Sequence, residues 1–179
     1  MNFSLDSSGV CNGARFVPSP HYDERPDGER ISLLVIHNIS LPPGEFGGPH
    51  IDELFLGTLD PEAHPYFREI CGMRVSSHFL IRRDGELVQY VPCELRAWHA
   101  GQSRWNGRER CNDFSIGVEL EGADDVPFSE HQYAMLAALT HAIFDKYGVL
   151  DIAGHSDIAP DRKTDPGPFF DWPRYHSAI

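Results

Sequence analysis

The sequence predicts a single α/β domain, and three observations support this prediction. The length of 179 residues fits one compact domain, because domains usually contain about 100–200 residues. Hydrophobic residues make up 41% of the chain and charged residues 23%, which is normal for a globular protein. Short apolar runs typical of buried strands are combined with one long segment that has the start signal and the apolar face of a helix.

Residues 1–30 are predicted to form an irregular N-terminal arm, because Pro18, Pro20, Pro26 and Gly28 interrupt any regular pattern. The main domain is then predicted to span residues 31–179. It begins with Ile31–Ile36, a short and mostly apolar run of the kind found in a strand buried on both faces. This interpretation places His37 at the C-terminal end of the strand.

The segment Leu41–Phe67 is rich in proline and glycine and contains one short amphipathic stretch, Ile51–Leu56, that can form a helix. It is long for a connection within a compact domain, and such segments are usually functional or disordered. Two alternatives stay open at this stage. The segment is either a mobile cover beside His37 or a rigid wall stiffened by its prolines.

An antiparallel hairpin is predicted from two apolar runs, Ser77–Arg83 and Glu86–Val91, joined by the turn dipeptide Asp84-Gly85. Phe114–Leu120 predicts a further strand.

The spacing Ser129-x-x-Gln132 is a capping box and predicts the start of a helix that ends near Gly148 and covers one face of the sheet. Val149–Ala153 is a candidate for one more strand, and a short terminal helix is predicted after Asp171.

Charge and cysteine content limit the possible partners and the compartment. The formal net charge of −12 argues against nucleic-acid binding, which depends on cationic contacts to phosphate. Met1–Val10 has no basic region, and no apolar run approaches the roughly 18 residues of a membrane span. We therefore expect a cytoplasmic protein that makes no membrane contact. As separate expectations, the protein is a monomer and its partner is a small-molecule substrate. The four cysteines form no C-x-x-C pair and are expected to be reduced.

Two histidines and one aspartate are candidates for a catalytic zinc site. His37 and His155 each follow a predicted buried strand, and Asp165 lies ten residues after His155. Strand ends are where α/β folds place their sites, and a catalytic zinc needs three protein ligands and one open position. Spacing alone does not exclude the other histidines His64, His78 and His99. No G-x-S-x-G motif is present to support a serine nucleophile.

Glu119 is the other unusual polar residue. Strand alternation places it on the face shared with Gly117 and Ser115. A carboxylate half-buried there is costly unless it has a partner or a function. Two interpretations remain, a general base and a structural ion pair.

Four motifs carry a resemblance that covers nearly the whole chain, from Ala14 to Trp172. They are VIHNISLPPGEFGGP, RAWHAG, GRERCNDFSIGVELEG and GHSDIAPDRKTDPGP followed by FDW. In this combination and order the chain resembles the zinc N-acetylmuramoyl-L-alanine amidases, a family shared with peptidoglycan recognition proteins and phage amidase lysozymes. The resemblance implies a mixed central sheet flanked by helices.

The resemblance also implies an activity and a set of site residues. One zinc ion per chain would be bound by His37, His155 and Asp165. Glu119 would be the catalytic glutamate and Lys163 the residue that stabilises the oxyanion. The substrate contacts implied are Asn38, Arg74, Trp98, His99 and Arg110.

The implied reaction is hydrolysis of the amide between the lactyl group of 1,6-anhydro-N-acetylmuramic acid and L-alanine in recycled cell-wall fragments. The resemblance also implies a link to β-lactamase regulation. Two alternatives are a muropeptide sensor that binds without cleaving and an envelope amidase that acts on polymeric peptidoglycan.

Overall fold

The computed structural model describes residues 3–179 and contains one mixed six-stranded sheet with helices on both sides. The strands are β1 (Arg15–Phe16), β2 (Tyr22–Asp23), β3 (Leu33–Ile39), β4 (Phe79–Ile81), β5 (Leu87–Gln89), β6 (Arg96–Ala97), β7 (Arg104–Trp105), β8 (Arg108–Glu109), β9 (Ser115–Glu121) and β10 (Asp151–Gly154). The helices are α1 (His50–Leu56), α2 (Phe67–Ile70), α3 (Glu130–Tyr147), α4 (His155–Ile158) and α5 (Trp172–His176), with a 3₁₀ turn at Cys111–Asp113.

The strand order in the main sheet is β1-β5-β4-β9-β3-β10, and only β4 and β5 pair antiparallel. The predicted hairpin is therefore confirmed, although its strands are shorter than the apolar runs. Gly85 at the turn has a φ of 90°, a left-handed conformation that glycine adopts without steric cost. The mixed sheet implied by the resemblance is also confirmed.

Strand β9 has two different faces, and this difference organises the molecule. Ile116, Val118 and Leu120 point into an apolar core that includes Leu136 and Leu139 of α3. The opposite face of β9 carries its polar residues. The side chain of Ser129 accepts a hydrogen bond from the backbone N–H of Gln132, which confirms the capping box that starts α3. The long helix thus covers one face of the sheet and leaves the other for the site.

Strand β3 is longer than predicted and includes His37. It pairs in parallel with β9 from Leu33 opposite Ser115 to Ile39 opposite Glu121. The predicted end of the strand at Ile36 is wrong, because His37 is itself part of the C-terminal end of β3. Backbone pairing with a central strand continues after the apolar run has ended, and the side-chain pattern does not show it.

The predicted N-terminal arm contains the short strands β1 and β2, and Arg25 links it to the domain. This half-buried guanidinium donates hydrogen bonds to the backbone carbonyls of Cys93, Asn112 and Ser115, at 3.0, 3.1 and 2.8 Å. The boundary at residue 30 stays a prediction.

The segment Leu41–Phe67 includes α1 and packs as a wall beside the sheet. Ile51, Leu54 and Phe55 are buried in a second apolar cluster with Leu80 of β4. The backbone N–H of Gly47 in this segment donates to Glu121 at 2.7 Å. These contacts support the wall rather than the mobile cover, which stays untested.

All four cysteines are free thiols. No helix within residues 3–179 is long and apolar enough to cross a membrane.

Candidate metal centre and active site

Strand register brings the candidate site residues together. His37 of β3 lies directly opposite Glu119 of β9. On the other side of β3, Gly154 of β10 pairs with Ile36, so His155 follows one residue later beside His37. Three parallel strands thus place two imidazoles and one carboxylate at the same edge of the sheet.

His37, His155 and Asp165 converge on one point. The two Nδ1 atoms of His37 and His155 are 3.0 Å apart, and Asp165 Oδ2 lies 3.1 Å from each of them. Three atoms at this separation can all lie about 2 Å from a single ion, as zinc ligands do. The two histidines are buried and Asp165 is half-buried.

The chemistry of these donor atoms fits a divalent cation. Two ring nitrogens at 3.0 Å cannot both present lone pairs to each other unless a proton or a cation lies between them. The remaining ring nitrogens already have partners, because His155 Nε2 lies 3.1 Å from the carbonyl of Ala100 and His37 Nε2 lies 2.9 Å from His99 Nδ1. Both Nδ1 lone pairs are therefore directed to the shared point.

The electrostatics favour a neutral imidazole and an ionised carboxylate at this point. Burial lowers the pKa of His37 to about 4. Burial alone would raise the pKa of Asp165, but hydrogen bonds with His155 and His37 outweigh it and hold the pKa well below its usual value. Deprotonated ligands are the form that binds a metal.

Glu119 lies beside the cluster and has almost no partners. Its Oε1 is 3.9 Å from His37 Nδ1, and its Oε2 is buried without a hydrogen bond. Burial raises the pKa of this carboxyl well above its usual range, the charge of Asp165 adds to the effect, and Lys163 acts against it. A raised pKa is what a general base near neutral pH requires.

A cleft of about 350 Å³ opens over the cluster. Lys163 and Glu119 line it together with the three candidate ligands. Its lining also includes the apolar residues Leu41, Leu54, Phe55, Tyr66, Ile70, Met73 and Val75. The cleft thus combines a few polar groups with an apolar surface, as small-molecule sites usually do.

Three of the five predicted substrate contacts line this cleft, and two do not. Asn38, Trp98 and His99 line it, and Asn38 Nδ2 donates to Asp124 and to the carbonyl of Pro166. Arg74 lies at its rim, with the guanidinium 5.6 Å from the centre of the Trp98 ring.

Arg110 lies in a separate depression with Ser103 and Arg104. Its side chain is 69% exposed and pairs with Asp113 at 3.2 Å. The structure therefore brings eight of the ten predicted site residues into one cleft and leaves Arg74 at its rim and Arg110 outside it.

The sequence analysis did not identify two residues of this region, Tyr66, which lines the cleft, and Asn112, which holds the backbone of His99 and Ala100. Tyr66 is hidden in the turn-rich segment, where nothing in the local pattern marks it. Asn112 is buried, and its Oδ1 accepts hydrogen bonds from the backbone N–H groups of His99 and Ala100. The glycine inside β9, Gly117, was a usable signal, since a glycine within a strand often marks a close approach. A Cβ there would lie 2.5 Å from the ring of His99.

Comparisons with known proteins agree with this geometry. A family model described as N-acetylmuramoyl-L-alanine amidase matches residues 27–168. The 1,6-anhydro-N-acetylmuramyl-L-alanine amidase AmpD of Escherichia coli (strain K12) is 67% identical over 177 residues, which cover 98% of this chain and 97% of the relative.

Two solved structures are also similar. A crystal structure of a selenomethionine derivative of AmpD superposes with a TM-score of 0.95 and is 62% identical over 98% of both chains. The E. coli amidase AmiD, solved in complex with the substrate anhydro-N-acetylmuramic acid-L-Ala-D-γ-Glu-L-Lys, superposes with a TM-score of 0.61 at 28% identity, covering 97% of this chain and 65% of that one.

Proposed function

The chain belongs to the N-acetylmuramoyl-L-alanine amidase family, and we propose that it works as a zinc hydrolase with His37, His155 and Asp165 as the metal ligands. The bond cleaved is the amide between the lactyl group of 1,6-anhydro-N-acetylmuramic acid and L-alanine in cell-wall fragments. Support for this substrate comes from the name of the E. coli relative and from the 98% of this chain that it covers.

The observation that carries the metal assignment is the meeting of three lone-pair donors 3.0–3.1 Å apart. When bound there, zinc polarises the scissile carbonyl and lowers the pKa of a water molecule toward about 7.

Glu119 takes a proton from the attacking water. Its Oε2 is buried and has no hydrogen-bond partner among residues 3–179, so it is free to accept that proton. Burial and the charge of Asp165 raise its pKa, which brings the carboxylate closer to the operating pH than an exposed glutamate would be. The same carboxyl group can then donate the proton to the leaving amine.

Lys163 faces the negative charge that develops on the carbonyl oxygen. It lines the cleft with Glu119 and Asp165, and its positive charge opposes the rise in the pKa of Glu119. A fixed cation in a partly dry cleft stabilises an oxyanion more strongly than the same cation does in water.

Trp98 and Arg74 bind and orient the fragment. Trp98 offers an aromatic face to the sugar or the lactyl group, and its Nε1 donates to Asp23 at 3.0 Å. The Arg74 guanidinium beside this ring suits a carboxylate of the peptide stem. Arg110 lines a separate depression, and its contact with the substrate stays a prediction. The cytoplasmic location and the monomeric state stay predictions.

Incubation of the purified protein with a soluble anhydromuropeptide, with and without chelator, tests this proposal. We expect free peptide to be released, the release to stop with chelator, and zinc to restore it. Release that is insensitive to chelator would contradict the metal assignment. Faster release from intact sacculi than from the soluble fragment would contradict the substrate and favour an envelope amidase.

A further inference from the structure

The dipeptide His99-Ala100 contacts both candidate metal-binding imidazoles on the side away from the metal point. His99 Nδ1 lies 2.9 Å from His37 Nε2, and the carbonyl of Ala100 lies 3.1 Å from His155 Nε2. Two adjacent residues thus supply the outer partner of both histidines.

The protons of these hydrogen bonds follow from the chemistry of imidazole. A neutral imidazole that binds a cation through Nδ1 carries its only proton on Nε2. A buried N–H of this kind needs an acceptor, because leaving it unpaired is costly. The carbonyl of Ala100 can only accept, so it satisfies His155.

For His37 the acceptor is a second imidazole. His99 Nδ1 can accept the hydrogen bond from His37 when the proton of His99 is on Nε2. That Nε2 lies 3.1 Å from the hydroxyl of Ser115, whose oxygen can accept the hydrogen bond from the Nε2–H group. A continuous chain of donors and acceptors therefore runs from His37 through His99 to Ser115. With both ring nitrogens engaged, His99 has no polar atom left for a substrate.

The dipeptide is itself held firmly. Asn112 Oδ1 accepts hydrogen bonds from the backbone N–H groups of His99 and Ala100, at 3.1 and 2.8 Å, and Asn112 is buried. The ring of His99 lies against the backbone of β9 at Gly117, where any Cβ would overlap it at 2.5 Å. These contacts are what a positioning role requires, since they fix the acceptor atoms.

We propose that His99-Ala100, clamped by Asn112, is a positioning element that keeps His37 and His155 in the metal-binding tautomer, and that His99 acts through His37 rather than on the substrate. This inference rests on the proposed function, because it takes the cation to be zinc. Outer partners of this kind typically change metal affinity by about 10–100-fold when they are removed.

Zinc affinity of the full chain tests the proposal, with His99→Leu and His99→Asn as the principal variants. His99→Leu removes the acceptor and is expected to weaken zinc binding about 10–100-fold. His99→Asn is expected to restore most of the affinity, because the amide oxygen can occupy the position of Nδ1. At saturating zinc, the KM of His99→Asn for the anhydromuropeptide should equal that of the wild type.

A second readout is spectroscopic. In zinc-loaded protein labelled with ¹⁵N-histidine, we expect a scalar coupling across the hydrogen bond between His37 Nε2 and His99 Nδ1. Ser115→Ala is a small change that leaves the packing nearly intact, and it should weaken zinc binding several-fold and reduce the coupling. This variant still tests the proposal if His99→Leu does not fold.

Gln89→Leu is the matched control. Gln89 is a fully buried polar residue of β5, and its side chain contacts the backbone of Gly9, Cys11 and Val91, at 2.8, 2.8 and 3.2 Å. Its loss should lower the free energy of unfolding but leave zinc affinity within about twofold, because none of these partners contacts His37, His99 or His155.

If His99→Leu and Ser115→Ala both bind zinc with the affinity of the wild type, the inference is wrong. A raised KM with unchanged zinc affinity in His99→Leu would also overturn it and would assign His99 to substrate binding. A wild-type chain that binds no zinc would overturn the proposed function, and this inference with it, so the two failures can be told apart.

Discussion

Two glutamates lie two residues apart on the same face of β9, and both are buried, yet their surroundings are opposite. Glu121 is 1% exposed and its carboxylate accepts hydrogen bonds from the backbone N–H groups of Gly47 and Arg83 and from the Arg82 guanidinium. Glu119 is 8% exposed, and its Oε2 has no partner.

This difference is the one we expect between a structural carboxylate and a catalytic one. A buried charge is costly unless it is paired and hydrogen-bonded. Glu121 has these partners, and it links the wall segment, the β4-β5 hairpin and β9. Glu119 lacks them, and under the proposed function its carboxylate serves the reaction in the cleft rather than the stability of the fold. Substitutions at the two positions should therefore have opposite consequences.

The largest expected effect is on the turnover of Glu119→Gln. The amide keeps the shape of the side chain but cannot accept a proton, so kcat should fall at least about 100-fold. The free energy of unfolding should not decrease, because a neutral group replaces a carboxylate that is poorly stabilised by its surroundings. Kinetics and denaturant titration on the same preparation measure both quantities. Near-wild-type turnover would contradict the role of Glu119 as a base and would favour a structural role.

Lys163→Ala tests the second polar group of the cleft. Loss of one oxyanion-stabilising group typically lowers kcat about 100- to 1,000-fold, and we expect the lower end because Lys163 is only half-buried. Lys146→Ala is the matched control, since Lys146 is on α3 and pairs with Glu94. Equal turnover in the two variants would exclude Lys163 from the reaction.

Glu121→Gln should show the reverse of Glu119→Gln. Breaking a buried ion pair leaves a cation without its partner and typically costs about 3–5 kcal/mol. The lower end is expected, about 3 kcal/mol, because Arg82 also contacts Asp52 at 3.1 Å. Turnover per folded molecule should change by less than about threefold. Hydrogen exchange should increase around Gly47, and a variant as stable as the wild type would remove the distinction between the two glutamates.

The smallest expected effect extends the comparison to a buried base on the same side of the sheet, His78. Burial, with the charge of Arg25, lowers the pKa of His78 from 6.5 to about 3. Between these two values the unfolded chain binds a proton that the folded chain does not. The contribution of His78 to stability is therefore fully present above pH 6.5 and is lost as the pH falls toward 3, at about 1 kcal/mol per pH unit.

His78→Asn removes this titration and keeps an acceptor for the N–H of Gly117. Denaturant titrations between pH 7 and pH 4 should show a smaller loss of stability for the variant than for the wild type, about 1 kcal/mol less per pH unit. Parallel curves would mean that His78 accepts a proton in the folded protein.

Local signals in the sequence predicted much of the fold. The Asp84-Gly85 hairpin and the Ser129 capping box depend on contacts between near neighbours, and both are confirmed. The extent of β3 could not be predicted, because its pairing with β9 joins residues about eighty positions apart. The same reason explains why β1 was not expected.

Some features of the candidate site could be predicted from the sequence and others could not. His37, His155 and Glu119 converge because parallel strands place their ends at one edge, and this principle can be applied to the sequence. Asp165 reaches them on the loop after α4, where its backbone carbonyl accepts a hydrogen bond from Ser156. The partners of His99 could not be predicted, since they depend on side-chain geometry across three segments. The placement of Arg110 outside the cleft depends on the turn that precedes β9, where Arg110 has a φ of 60°, and no local pattern indicates it.

The zinc content of three purified proteins tests the central claim most directly. Elemental analysis should find one zinc per chain in the wild type and in Glu119→Gln, and much less than one in Asp165→Ala, because the proposed function makes Asp165 a metal ligand and Glu119 a base that does not bind the metal. Full zinc occupancy in Asp165→Ala, or loss of zinc in Glu119→Gln, would contradict the division of this site into metal ligands and a separate base.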